Sequence, residues 1–131
     1  MSHNLRSAEH LNEHNETAAV CDYLHYKYPK VLFFSVPNGA HLAGGAKQRA
    51  ASMNILKREG FLPGVSDLVI FEPRGPYSCF FLEMKRAVGG VLSDNQRDFL
   101  IEVEKRGAFA AVAHGADEAI EFIDTYLALE I

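Results

Sequence analysis

Two apolar segments in the middle of the chain carry charged residues where a buried strand normally has none. Residues 64–71, GVSDLVIF, place Asp67 at the head of one apolar run, and residues 80–86, FFLEMKR, place Glu83 and Lys85 inside another. Side chains alternate between the two faces of a strand, so Glu83 and Lys85 share a face with Phe81. A face that carries this phenylalanine is not freely solvated, and we therefore expect charge inside the fold.

The hydrophobic spacing of the whole sequence predicts an α/β fold in which a mixed β-sheet is flanked by helices, formed by a single domain over residues 1–131. The predicted order of elements is αβαββαβα. The first two helices are expected over about 8–27 and 46–59, the third from a capping box at 93–96 to Gly107, and the last over the apolar positions between 119 and 127. The strands are expected over 31–36, 68–71, 79–85 and 108–114, with the second and third antiparallel neighbours.

Charge is unevenly distributed along the chain. The formal net charge of −4 argues mildly against a nucleic-acid partner, but residues 47–58 contain four basic and no acidic residues, whereas residues 117–130 contain five acidic and no basic ones. Two solvated helix faces would explain this pattern equally well. No apolar run approaches the ~20 residues of a membrane span, so we expect a cytoplasmic protein without a membrane partner.

Asp67, Glu83 and Lys85 would lie together if the strands that carry them are neighbours. An ion pair on a solvated strand face is the simpler alternative for Glu83 and Lys85. Two carboxylates in a partly desolvated site repel each other, so one of them binds a proton or a cation lies between them. Carboxylate and carbonyl oxygens suit magnesium or manganese, and the sequence shows no paired histidine or cysteine spacing for zinc.

These residues carry a resemblance to a known family. Asp67 followed by Glu83-Met84-Lys85 resembles the metal-binding core of the PD-(D/E)XK nucleases, and the chain more closely resembles the VRR-NUC family, which includes small stand-alone phage proteins. The matching segments are EH at 13–14, PNG at 37–39, KREGFLPGVSDL at 57–68, FLEMKRAVGGVLSDNQ at 81–96 and AVAHGADEAIEFI at 111–123. The family usually has proline before the aspartate, where this chain has Ser66.

The resemblance implies a restriction-endonuclease-like fold and a metal-dependent deoxyribonuclease, in the cytoplasm of a host cell if the protein is phage-encoded. It implies that magnesium or manganese is held by Asp67, Glu83 and the backbone carbonyl of Met84. Lys85 would orient the attacking water or stabilise charge on phosphorus. The implied catalytic residues are Glu13, Asp67, Glu83, Lys85 and Gln96.

Two of these residues have competing interpretations. Helical phase favours Glu13 over Glu16 as the acid of the first helix, because Glu16 lies on the flank of the apolar stripe. Favourable placement near a helix N-terminus is the alternative explanation for Glu13. Gln96 is the last residue of the capping box SDNQ, and we expect that capping and an active-site role would exclude one another.

The proposed substrate is DNA, contacted through phosphates by the loop and basic helix that contain Asn38, His41, Lys47 and Arg49. The resemblance also suggests a homodimer that cuts branched DNA such as four-way junctions. Possible dimer patches are the hairpin around Tyr77 and Phe80 and the apolar last helix, although either could be core. A catalytically silent nucleic-acid-binding module and a hydrolase of small phosphate compounds remain alternatives, and the latter would need a closed apolar pocket.

Overall fold

The computed structural model describes residues 2–37 and 44–131, with side chains from residue 15 onward. The elements follow the predicted order. They are α1 (Ser2–Lys27), β1 (Phe33–Ser35), α2 (Ala46–Arg58), β2 (Leu68–Ile70), β3 (Phe80–Lys85), α3 (Asp94–Lys105), β4 (Phe109–His114) and α4 (Ala116–Leu127). The predicted mixed α/β architecture is therefore confirmed.

The boundaries differ from the predictions mainly at the first helix and first strand. Helix α1 begins at Ser2 rather than near residue 8, and the segment before residue 8 contains no proline or glycine that would interrupt a helix. Strand β1 covers only Phe33–Ser35, which pair with Leu68–Ile70 of β2. Backbone hydrogen bonds continue one residue beyond this ladder at each end, from Val36 to Asp67 and from Phe71 to Leu32. Short strands at a sheet edge are common in natural proteins.

The four strands form one sheet in the order β1-β2-β3-β4. Strand β2 is antiparallel to both of its neighbours, whereas β3 and β4 are parallel. The β2–β3 ladder pairs Leu68 with Leu82 and Ile70 with Phe80, as expected for the predicted hairpin. The two strands that carry the charged residues are therefore adjacent.

One face of the sheet forms the core with α1 and α4. Phe80, Leu82 and Met84 of β3 point to this face, where they contact buried residues of both helices. The helical side of this core comprises Val20 and Leu24 of α1 with Ala119, Ile123 and Tyr126 of α4. This dense packing fixes the position of β3 relative to the two helices.

The opposite face of the sheet carries the other half of β3 and is covered by α3. Phe81 and Phe99 meet edge to face with ring centroids 5.3 Å apart. Helix α3 packs against β3 and β4, whereas none of the residues of α2 is buried. The sequence predicted an apolar side for α2, but its Met53 and Leu56 are only half-buried.

The two patches that the sequence offered for a dimer contribute side chains to the core. Phe80 of the hairpin and Ile123 of the last helix are fully buried, and Tyr77 meets Phe109 edge to face. These buried side chains cannot contact a second copy, whereas Ile120 and Leu127 remain partly exposed. No helix in the part of the chain that the structure describes is long and apolar enough to cross a membrane.

Candidate active site

Asp67 lies where strands β2 and β3 stop pairing. The ladder ends at the Leu68–Leu82 pair, and continuing that register places Asp67 opposite Glu83. The Asp67 side chain contacts β3 at this point, because its Oδ2 accepts a hydrogen bond of 2.8 Å from the Met84 backbone amide. The charge at the head of the apolar run is thus held against the neighbouring strand.

Glu83 and Lys85 lie on the same face of β3, as their spacing predicted. Glu83 is 2% exposed, although it is a carboxylate. The Lys85 Nζ is 3.7 Å from Glu83 Oε1, and only 12% of the lysine side chain is exposed. The alternative of a solvated surface ion pair is therefore wrong, because Phe81 and α3 remove this face from water.

Gln96 binds Glu83 and caps α3 at the same time. Its Oε1 accepts a hydrogen bond from the Ser93 amide at 2.9 Å, which completes the predicted capping box. Its Nε2 donates to Glu83 Oε1 at 2.8 Å. The expectation that the two roles exclude one another is wrong, because an amide side chain has separate acceptor and donor ends.

Gly64 brings the start of α3 close to the strand that carries Asp67. A Cβ at Gly64 would lie 2.3 Å from the backbone oxygen of Asn95, and its φ of +93° also favours glycine. Only a residue without a side chain allows this contact. The glycine before the aspartate therefore positions Gln96, a function that the sequence did not reveal.

The electrostatics of Glu83 are those of a buried acid close to a second acid. Burial, and then repulsion by Asp67, raise the pKa of Glu83 to about 8, although the Lys85 ammonium partly opposes the shift. Glu83 Oε1 binds Gln96, whereas Glu83 Oε2 is buried without a hydrogen-bond donor. A buried acceptor that lacks a donor is costly, and a proton or a cation would relieve that cost.

The Met84 carbonyl is the third predicted oxygen. A strand residue directs its N–H and C=O to the same side, and the Met84 N–H points to Asp67. The next carbonyl, of Lys85, points the other way and accepts from Gly115 at the edge of β4. Asp67, Glu83 and the Met84 carbonyl thus offer only oxygens, which fits a hard cation. Among the described residues no group of three or more His, Cys, Asp or Glu side chains could hold a metal, so such a site relies on two carboxylates and backbone oxygen.

Glu16 has a partner that its position in the sequence did not reveal. Its Oε2 accepts a hydrogen bond from the Ala116 amide, at the first turn of α4. The N-cap of α4 is Gly115, which has no side chain, so the carboxylate from α1 serves as the cap. Glu16 is therefore not a solvated flank residue, and the signal for this role was the glycine immediately before α4.

The other predicted residues are either outside this cluster or outside the described residues. Lys47 and Arg49 are exposed on the first turns of α2. Asn38 and His41 lie outside the described residues, as does the side chain of Glu13. The structure thus brings together Asp67, Glu83, Lys85 and Gln96.

Comparison with known proteins places this arrangement in context. The profile of the VRR-NUC domain matches residues 6–117. A solved structure described as a VRR_NUC domain protein superposes with a TM-score of 0.76, at 22% sequence identity, over 91% of this chain and 90% of that chain. A search of curated protein sequences found no match.

Proposed function

This chain belongs to the VRR-NUC domain family, a nuclease-type domain, and from that premise we propose that it is a magnesium- or manganese-dependent endonuclease that hydrolyses DNA phosphodiester bonds. The observation that carries the proposal is the partly buried cluster of Asp67, Glu83, Lys85 and Gln96, in which the buried Glu83 Oε2 has no hydrogen-bond donor.

The carboxylates and the Met84 carbonyl would hold the cation. When bound, the cation would lower the pKa of a water and polarise a phosphodiester oxygen. The Met84 backbone amide orients Asp67, and the Gln96 side-chain amide orients Glu83. Both acids are therefore held in position before any ligand binds. Two carboxylates leave coordination positions for a phosphate oxygen and for waters, several of which magnesium commonly retains.

Lys85 would stabilise the charge that develops on the phosphoryl group or orient the attacking water. Its ammonium is held beside Glu83 with 12% of the side chain exposed, so it lies at the edge of the buried cluster where a substrate could reach it. A donor in a largely desolvated position stabilises charge far better than one in water. Glu13 would assist Lys85 or a second cation from α1.

Helix α2 would bind the DNA backbone rather than read its sequence. Lys47 and Arg49 are exposed on a helix with no buried residue, and an exposed cation suits a phosphate contact. Asn38 and His41, in the loop that precedes it, would contribute similar contacts. The acidic net charge of the chain is then compatible with a DNA substrate, because the basic charge is concentrated in one segment.

We further propose that the substrate is branched DNA and that two copies act as a homodimer. Coordinated cutting of a four-way junction requires two cutting centres, which a two-fold dimer supplies from one chain. Neither Phe80 nor Ile123 is available for the interface. Exposed apolar side chains remain on α2 and on the β1–β2 side of the sheet, including Ile55, Phe34 and Phe71.

The alternatives are less compatible with the geometry. A silent binding module would not need a buried glutamate with a pKa raised to about 8 and an oxygen without a donor. A hydrolase of small phosphates would need the cluster to line a closed pocket. An apolar cleft does lie beside the site, formed by residues that include Val36, Phe61 and Val65, but no member of the cluster lines it.

The proposed function is tested by incubating the purified protein with linear duplex, single-stranded, flap and four-way-junction DNA. We expect cleavage with magnesium or manganese, and binding without cleavage in calcium, because calcium takes a looser coordination. Cleavage that persists in EDTA would contradict the metal-dependent mechanism. Binding of DNA without cleavage under every metal would support the silent module instead.

A further inference from the structure

We propose that His114 is a positioning residue for Lys85 and acts on it through the backbone of Gly90. The proposal rests on the function proposed above, because it concerns the placement of the lysine of that site. His114 is the last residue of β4, and the parallel register pairs it with Lys85. Paired residues of adjacent strands point to the same face, so the imidazole and the lysine stem stand side by side.

Gly90 lies against both residues. The His114 Nε2 is 3.2 Å from the Gly90 carbonyl oxygen, so an Nε2–H donates to that carbonyl. A Cβ added to Gly90 would lie 2.8 Å from Lys85 Cβ and 3.2 Å from the amide nitrogen and carbonyl oxygen of Arg86. The glycine backbone is therefore pressed against the base of the lysine side chain.

The need for glycine at position 90 is one of space. Its neighbour Gly89 has a positive φ, of 79°, whereas Gly90 is not among the residues with positive φ. An alanine at 90 would therefore meet no strain in its own backbone, and its effect would come from contact with Lys85 and Arg86. Gly90→Ala therefore tests how closely the turn must approach Lys85 and the Arg86 backbone.

Two contacts hold the turn at residues 86–92, one within the turn and one to a strand of the sheet. Arg86 Nη2 donates to the Gly89 carbonyl at 3.1 Å, within the turn itself. The His114–Gly90 contact ties the same turn to β4, a separate strand. Loss of the histidine contact would let the turn move away from Lys85 and give the ammonium more positions beside Glu83.

The experiment compares His114→Leu with His114→Gln in the full-length protein. Leucine keeps the bulk of the side chain but has no donor, whereas the glutamine amide can reach the Gly90 carbonyl and donate. We expect kcat of His114→Leu to fall about tenfold with KM for DNA nearly unchanged, since a loosened catalytic group loses orientation rather than binding. His114→Gln should recover most of the rate.

Two further variants refine the test. Gly90→Ala should lower kcat by about 100-fold, the cost expected of a misplacement of roughly 1 Å. Glu118→Gln is the matched control, because it removes the carboxylate 3.9 Å from His114 Nδ1 without touching Gly90. We expect this control to keep the wild-type rate.

A second readout does not depend on catalysis. Reductive methylation with ¹³C-formaldehyde labels Lys85, and its NMR signal is assigned by its absence from Lys85→Arg. We expect that signal to narrow and shift towards that of exposed lysines in His114→Leu and Gly90→Ala but not in Glu118→Gln. Equal rates and equal Lys85 signals in wild type and His114→Leu would overturn the proposal. If the wild-type protein cleaves no DNA and the Lys85 signal still moves as expected in the variants, the proposed function is refuted and the positioning contact is retained.

Discussion

The cluster around Glu83 and helix α2 differ in how closely their side chains are packed. In the cluster of Asp67, Glu83, Lys85 and Gln96, Asp67 and Gln96 each contact strand β3, and Lys85 lies beside Glu83 on that strand. Glu83 is 2% exposed. Helix α2 has no buried residue, although it carries the whole basic segment at 47–58. The cluster is fixed by the fold, whereas the described contacts of α2 leave its surface open.

This difference suggests a division of labour. Chemistry requires groups held in position before the substrate arrives, and the cluster meets that requirement. Contact with a phosphate backbone tolerates exposed, adaptable cations, which α2 supplies. We therefore expect substitutions in the cluster to change kcat and substitutions on α2 to change DNA binding, and the following predictions test that separation.

The largest effect is expected at the two carboxylates. Asp67→Asn keeps an acceptor for the Met84 amide and Glu83→Gln keeps the side-chain length, but each removes a negative charge from the site. We expect each to lower the cleavage rate by about 1,000-fold or more, because metal-ion catalysis supplies several kcal/mol and each 1.4 kcal/mol is about tenfold. Rates are measured under single-turnover conditions, with the exposed Glu104→Gln as control. DNA affinity measured in calcium should change little. A large loss of affinity would contradict the assignment of catalysis to the cluster and of DNA binding to α2.

Lys85→Ala should be the next most damaging substitution. Loss of one donor to the transition state costs about 100- to 1,000-fold in kcat. Both carboxylates remain, so calorimetric titration of manganese should give nearly wild-type affinity for Lys85→Ala and weaker affinity for Asp67→Ala. Equal affinities in the two variants would mean that Asp67 is not a ligand.

The basic residues of α2 should affect binding alone. The double variant Lys47→Ala/Arg49→Ala should weaken DNA binding and reduce the salt dependence of log K by about 2, one unit for each phosphate contact. The single-turnover rate at saturating DNA should stay unchanged. The matched control is Lys105→Ala/Arg106→Ala, which removes the same charge from the C-terminal end of α3, where both residues pair with Glu102. Equal losses in the two double variants would show that only net charge matters.

A smaller effect concerns pH in the absence of metal. The pKa of Glu83 is raised in the folded protein to about 8, so the folded state binds the proton more tightly than the unfolded chain. The stability from this proton is complete below the ordinary pKa of a glutamate and is lost as pH rises through about 8. The thermal midpoint of the metal-free protein should therefore fall over this range, and Glu83→Gln should remove that dependence. Manganese should bind more tightly as pH rises, since it displaces the proton.

The sequence predicted the fold and most of the cluster because both depend on local patterns. Hydrophobic spacing and the SDNQ capping box located the elements, and alternation along β3 put Glu83 and Lys85 on one face. The contacts that the sequence did not reveal join distant segments. Glu16 accepts a hydrogen bond from Ala116, 100 positions away, and Gly64 packs against the backbone of Asn95. The spacing of residues along the sequence predicts neither contact.

Gln96 shows why local rules can mislead. The capping box was predicted correctly, and the inference that capping would occupy the whole side chain was wrong. Similarly, the apolar pattern of the last helix is compatible with either an interface or the core, and the structure buries Ile123 in the core. A pattern identifies an apolar surface but does not say which surface covers it.

The central claim is that the oxygens of Asp67, Glu83 and Met84 hold the catalytic cation. It is tested most directly by anomalous diffraction from crystals of the protein grown with manganese at a concentration that supports cleavage. We expect an anomalous peak bonded to both carboxylates and to the Met84 carbonyl, absent from crystals of Asp67→Ala. A peak at other residues, or no peak at this site in crystals of active protein, would contradict it.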